Sequence, residues 1–309
     1  MWGLSRRKLW RAALILGLAE SPVALQLLDL DRSYLFFAFG LAWAVALYGL
    51  VEPKPRAVAI GLLVYIATAV TAVPLLLLWL NHVPSWQGTG GRLERHFIGS
   101  FGVGVREELS KAVTLLCVLW IGSRLRPRFS AREGLIYGAM AGLAFAAVEN
   151  LEAFRKLCHV EDVALAHGLD ATMAWTVAAA LGRLVSTPLA HACWSATVGF
   201  AFTAPNRTRM RRLWLGTGAL TLCAGLHGLY DTCASLGNRV GLGALLAFSF
   251  GLLIFLVSRA EQLEEEVAPP RERILFVPAP LGIARLALPI ALGLALLAVA
   301  GWSIVRLMS

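Results

Sequence analysis

The sequence predicts an all-α fold: a polytopic integral membrane bundle of about nine transmembrane helices, N-terminus inside and C-terminus outside. Three observations predict it. Of 309 residues, 58% are hydrophobic and only 15% are charged, against about 25% charged in ordinary globular domains. Mean hydropathy is +0.69. The apolar residues fall in long runs, and a spanning helix needs roughly 20 of them. This composition excludes a water-soluble domain, a disordered chain and a small disulfide framework.

The elements follow in chain order. Arg6, Arg7, Lys8 and Arg11 precede an apolar run that resembles a signal peptide. Apolar character resumes after Glu20 and continues to Leu28, so the run reads as a retained first helix. The expected spans are about 10–28, 33–51, 57–80, 98–121, 133–153, 184–204, 213–234, 240–258 and 281–305. Residues 164–183 are semi-apolar and are expected to lie along the interface as an amphipathic helix feeding the sixth span. Glu261–Arg273 reads as a solvated cytoplasmic loop, with Glu264, Glu265 and Glu266 a solvated run. Three regions result: 1–95 with about three N-terminal helices, 96–258 as the core, and 259–309 with a loop and a last helix.

Charge sets the expected orientation. The net charge of +9 comes from basic residues in the short polar gaps. With the N-terminus inside, 17 Lys and Arg fall in inside segments and 7 in outside segments. Four more (Arg106, Lys111, Arg183 and Arg285) lie in or at the edge of spans. This is the positive-inside pattern, not a nucleic-acid footprint. The Arg207–Arg212 loop fixes orientation or docks lipid headgroups. Cys117, Cys158, Cys193, Cys223 and Cys233 form no metal or redox motif, and read as small packing residues. A Cys158–Cys233 bridge is conceivable, since both fall near the same membrane face in this topology.

Charged groups at membrane depth are expensive and usually functional. Four spans carry them. Arg106-Glu107-Glu108-Leu109-Ser110-Lys111 places Lys111 one turn from both glutamates, so it can hold one carboxylate ionised. The two glutamates point about 100° apart and so suit different jobs. The plainer alternative is a self-neutralised ion cluster. In the next span Gly134, Gly138, Gly142 and Ala146 recur at every fourth position, a stripe for close helix packing. Asn150 continues the stripe, Glu149 lies beside it, and Phe145 shares a face with Glu149. The alternative there is an interfacial glutamate, which suits Glu152 better. His191 and Ser195 share a face just after Pro188. His227 and Asp231 share another, where an Asp one turn away can orient the imidazole.

Counted from the outer end of each span, Glu107, Glu149, His191 and His227 all lie within roughly 15 Å of the outer face. One shared site would produce that. Carboxylates with two histidines suit metal-assisted hydrolysis. Glu149, His191 and His227 could hold Zn²⁺ with an open position, and Glu107 or Glu108 would act as general base on water. A glutamate base with a histidine pair would also work without metal.

E-E-x-x-K at 107–111, F-A-x-x-E-N at 145–150, H-x-x-x-S at 191–195 and H-x-x-x-D at 227–231 resemble the PrsW family of intramembrane proteases. That family is related to the CAAX-prenyl-protease and bacteriocin-processing membrane enzymes. The resemblance covers about 99–235. It implies a multi-helix membrane protease, typified by cleavage of a membrane-anchored anti-sigma factor on its extracytoplasmic side. The family's site residues then correspond to Glu107, Glu108, Lys111, Glu149, His191, His227 and Asp231, supported by Phe145, Asn150 and Ser195. The last motif position is Asp here, where Asn also occurs in the wider group. The implied setting is a bacterial inner membrane, multi-pass. The lipid bilayer and a membrane-anchored protein are the expected partners, with no nucleic acid.

Two other readings use the same residues. A proton- or cation-coupled transporter also needs intramembrane Glu, His and Asp. It commonly shows an internal repeat, and none is visible here. A binding or assembly protein would keep the motifs for structure alone.

Overall fold

In hydrocarbon every backbone N–H and C=O must be satisfied within the protein, and a helix does so within one segment. The computed structural model describes residues 32–51, 56–82, 91–125, 129–166, 173–205 and 208–267. Among these residues all regular structure is α-helical. The helices are α1 (Arg32–Val51), α2 (Arg56–His82), α3 (Arg92–Leu125), α4 (Ala131–Ala166), α5 (Met173–Thr203), α6 (Arg209–Ser235) and α7 (Arg239–Val267).

Seven of the expected spans coincide with these helices. The expected spans 10–28 and 281–305 lie outside the described residues. Three stretches are long and apolar enough to cross a membrane: Ala57–Leu76, Ala131–Lys156 and Arg239–Glu266. In α1 the apolar stretch Gly40–Val51 is shorter, and α3, α5 and α6 hold no such stretch among the described residues. α3 carries Arg106, Glu107, Glu108 and Lys111 within its expected span, and such charges lower its hydropathy.

The connections differ in part from expectation. Of the stretch expected as an interfacial helix, 164–166 belong to the end of α4 and 173–183 are continuous with α5, and 167–172 lie outside the described residues. The run Ala178–Ala180 and the residues beyond it favour helix, so nothing stops α5 from extending backward from its motif. Glu261–Val267 is likewise not loop but the last two turns of α7. Its acidic residues have a partner: Arg132 at the start of α4 meets Glu264 at 3.3 Å and Glu261 at 3.8 Å. The start of α4 and the end of α7 therefore lie together.

Helix α4 is the centre of the bundle, with 83% of its apolar window buried. Its small-residue stripe explains the position. A Cβ at Gly138 would collide with the backbone of Ser195, and one at Gly142 with the backbone carbonyl of His191. From the other side, a Cβ at Gly199 would collide with the carbonyl of Gly134. Without side chains in the way, α4 and α5 make the most extensive helix pair among the described residues. Their backbone register thereby sets the height of His191 against α4. α1 and α2 cover other faces of α4, and Met140, Leu143, Val64 and Tyr65 join one apolar core.

α3 and α6 form the second close pair. A Cβ at Gly104 would meet the carbonyl of Ala224 at 2.9 Å, and one at Gly228 the backbone of Phe101 at 2.6 Å. A second core of Ala112, Trp194, Val198, Leu226 and Leu245 joins α3, α5, α6 and α7. Cys233, expected as one half of a bridge, is a free buried thiol. It lies against Gly241 and Asn238 at the α6–α7 corner, where burial leaves it as packing.

The helix ends follow local chemistry. Ser130 and Glu133 make a reciprocal capping box at α4, with Ser130 N–H donating to Glu133 at 2.8 Å and Glu133 N–H to Ser130 Oγ at 3.2 Å. Thr208 caps α6 by accepting from the Arg211 N–H. Between α6 and α7 the chain turns at Gly237, whose φ of +68° suits glycine. Asn238 then caps α7 by accepting from the Gly241 N–H at 2.9 Å.

Candidate active site

The two close pairs, α4 with α5 and α3 with α6, bring all four motifs to one buried point. On α3, Glu107 and Glu108 diverge as helix geometry requires and meet different partners. Lys111 Nζ lies 2.5 Å from Glu108 Oε1, so the pair one turn apart is the ionic one. The same Nζ lies 2.7 Å from Nδ1 of His191 and 4.8 Å from the centre of the Phe145 ring. One lysine thus joins motifs on α3, α4 and α5. Lys111 and Glu108 are each 1% exposed.

His227 stands across from it. Its Nδ1 lies 2.9 Å from Glu108 Oε1. With an ionised carboxylate there, Nδ1 carries the ring proton and Nε2 presents its lone pair. Nε2 lies 3.5 Å from Glu107 Oε2 and 3.5 Å from Asp231 Oδ2. The expected orienting role of Asp231 is therefore met more closely by Glu108, at the shorter distance and on the opposite ring nitrogen. The two histidine rings stand edge to face, 4.9 Å between centroids.

On α4, Glu149 Oε2 lies 2.9 Å from Nε2 of His191. Its other oxygen takes the guanidinium of Arg183 at 2.6 Å. Asn150 completes this edge: its Oδ1 accepts from Arg183 Nε at 3.3 Å and its Nδ2 donates to the Arg183 carbonyl at 3.4 Å. Phe145 is buried, its ring tilted on His191 at 5.6 Å. Ser195 is also buried, and its Oγ has no hydrogen-bond partner. Ser195 contributes at the α4–α5 seam instead, where its backbone faces Gly138. Glu152 is exposed and pairs with Lys156 at 3.5 Å, away from the cluster.

Two residues here escaped the sequence reading. Arg183 was visible only as a charge at a span edge with no assigned partner. Trp194, one turn after His191, stacks on His227 at 4.8 Å and meets His191 edge-on at 5.5 Å. Its Nε1–H donates to Ser249 Oγ on α7 at 3.0 Å. The i,i+3 spacing from His191 was the available signal for it.

The donor set fits a divalent cation. Ligand atoms of Glu107, His191 and His227 lie within 4.8 Å of one another, all buried. Glu107 Oε2 and Glu149 Oε2 are buried with no aligned hydrogen-bond donor, an unusual condition for carboxylate oxygens. With both histidines neutral and every carboxyl ionised, as a bound cation would favour, four carboxylates (Glu107, Glu108, Glu149 and Asp231) would face two cations, Lys111 and Arg183. The surplus is two negative charges. The convergent group contains Glu107 where the sequence reading had Glu149. Imidazole nitrogens with carboxylate oxygens are the ligand types that zinc sites use.

No curated protein and no solved structure matched this chain. The family described as PrsW family intramembrane metalloprotease matches residues 54–259, more than half of the sequence. That stretch holds the four motifs together with α2 and most of α7. The buried Glu–His–His group is compatible with such an enzyme, and the chain belongs to the PrsW family of intramembrane metalloproteases.

Proposed function

We propose that the chain is a zinc-dependent endopeptidase that cleaves a membrane-anchored protein near the extracytoplasmic face of a bacterial inner membrane. The observation that carries this is the convergence of Glu107, His191 and His227, with Glu149 at the edge. Glu107, His191 and His227 would hold the ion. When bound, it would supply a Lewis acid for the scissile carbonyl and a more acidic water.

The protein's own residues then have distinct roles. Glu149 is the general base. Its side chain is 31% exposed, whereas those of Glu107 and Glu108 are 9% and 1% exposed, so it stands at the open edge of the cluster, with Oε2 turned inward to His191. It takes the proton as the water oxygen bonds to the carbonyl carbon. It returns that proton to the amine as the C–N bond breaks. Glu108 orients His227 through Nδ1, and Lys111 keeps Glu108 ionised. Asp231, beside His227 and 33% exposed, faces the same edge as Glu149. Residues 96–258 are the catalytic core, and a membrane-anchored anti-sigma factor is the substrate class that the family relation suggests.

The test compares membranes of cells carrying the wild type, Glu149→Gln or His191→Ala. New protein N-termini that appear only with the wild type support the reading, provided that all three chains accumulate equally. Unchanged termini in both variants would overturn it. Metal content of the purified chain checks the ion: about one zinc per chain in the wild type, lost in His191→Ala.

A second reading is favoured by the Lys111–His191 contact. An ammonium donating to Nδ1 leaves the His191 proton on Nε2, where it can hydrogen-bond a developing oxyanion. Glu149 and His191 would then act together without a metal. Full cleavage after exhaustive chelation would select this reading.

A further inference from the structure

The edge of the site is built differently from its centre. The groups at the centre are held by Lys111, Glu108 and aromatic rings. Glu149 is held by Arg183, a residue outside the four motifs. The guanidinium spans two consecutive residues of α4, contacting Glu149 Oε1 at 2.6 Å through Nη2 and Asn150 Oδ1 at 3.3 Å through Nε. Asn150 is 2% exposed and also donates to the Arg183 backbone carbonyl at 3.4 Å. The arginine is therefore fixed from both its head and its main chain. Its fork geometry makes the direction of the guanidinium as definite as its position.

This leaves one oxygen of Glu149 for the site. Oε1 is taken by Arg183. Oε2 lies 2.9 Å from His191 Nε2 and has no aligned donor. A glutamate near the end of an apolar stripe has rotamers that point away from the bundle, and Glu149 and Arg183 are 31% and 36% exposed. A pair so exposed adds little to stability. What it does decide is which way the carboxylate faces.

We propose that Arg183 is a positioning residue for the protease site, holding the Glu149 carboxylate so that Oε2 faces Nε2 of His191. Asn150 acts through Arg183, which gives that residue of the second motif a function. The inference rests on the reading of this cluster as the active site. A base displaced by about 1 Å can lose about 10²-fold in rate, so Arg183→Ala should lower the release of new N-termini by about that factor. Arg183→Lys retains a cation beside Oε1 but loses the fork to Asn150, and should recover part of it.

The deciding measurement does not depend on cleavage. The full chain is labelled with ¹⁵N-histidine in detergent, stripped of metal by chelation, and its His191 ring resonances are assigned by their loss in His191→Gln. Arg183→Ala is expected to shift the Nε2 resonance, with Arg183→Lys close to wild type. In a Glu149→Gln background, adding Arg183→Ala should produce no further shift. An Nε2 resonance unchanged by Arg183→Ala, or shifted equally with Glu149→Gln present, would overturn the proposal. Where Arg183→Ala does not fold, Arg183→Gln replaces it, because glutamine can still bond Asn150. Cleavage surviving in both Glu149→Gln and His191→Ala would refute the active-site reading while this resonance test stood on its own.

Discussion

A lysine ammonium that is 1% exposed must find acceptors, and Lys111 finds Glu108 on its own helix and His191 on another. Removing one partner of such a pair leaves a buried, uncompensated charge, typically at a loss of about 3–5 kcal/mol. Lys111→Ala is therefore expected to destabilise the protein by about that amount, read from denaturant unfolding in detergent. Replacing both charges by neutral groups of similar size removes the mismatch. Lys111→Met with Glu108→Gln should recover most of the lost stability, since glutamine still accepts from His227 Nδ1. Cleavage should remain low in this double variant, because no charge then fixes His191 and His227. Recovery of activity along with stability would mean that Lys111 serves the fold alone.

At the scale of the element, the α4–α5 seam controls the site. Gly142 faces the carbonyl of the very residue, His191, that the site requires. Gly142→Val would force the helices apart there. Overpacking of this kind typically costs about 1–3 kcal/mol, and a separated seam carries His191 away from Glu149. A lower unfolding midpoint with loss of bound zinc is expected. Gly251 on α7 is the contrasting case. A Cβ there meets nothing within 4 Å, so Gly251→Ala should be neutral or stabilise by up to about 1 kcal/mol through reduced backbone freedom. Equal damage from both substitutions would mean that glycine matters here for flexibility and not for close approach.

For the whole molecule the testable quantity is orientation. Contact between Arg132 and Glu264 places the start of α4 and the end of α7 on one side. If the positive-inside bias of the sequence holds, that side faces the cytoplasm. Single cysteines at Arg124 and Thr208, both exposed, should then react with a membrane-impermeant thiol reagent only after cells are opened. A cysteine at Gly237 should react in intact cells. The opposite pattern would invert the bundle and move the site toward the cytoplasmic face. Two of the nine expected spans lie outside the described residues, and they do not affect this comparison, which uses positions between α3 and α7.

Composition and run length determined by themselves that the chain is helical and apolar, because a backbone in hydrocarbon has few other solutions. The spacing of Glu107, Glu108 and Lys111, of Phe145, Glu149 and Asn150, and of the two His motifs marked candidates that the structure brings together, because residues one turn apart share a helix face. The glycine stripe of α4 marked a surface for close helix packing. Sequence spacing cannot say which carboxylate meets which imidazole, since that depends on how far α3 and α5 slide against their neighbours. Only the packed structure paired Glu108 with His227, Lys111 with His191, and Arg183 with Glu149. The same limit applied to the ends of α5 and α7. A semi-apolar stretch before α5 read as an interfacial helix and an acidic one after α7 as a loop; at α7 a tertiary partner, Arg132, meets the acidic turns of a continued helix. Local periodicity is a property of one helix; the pairing of buried charges is a property of several helices held in register.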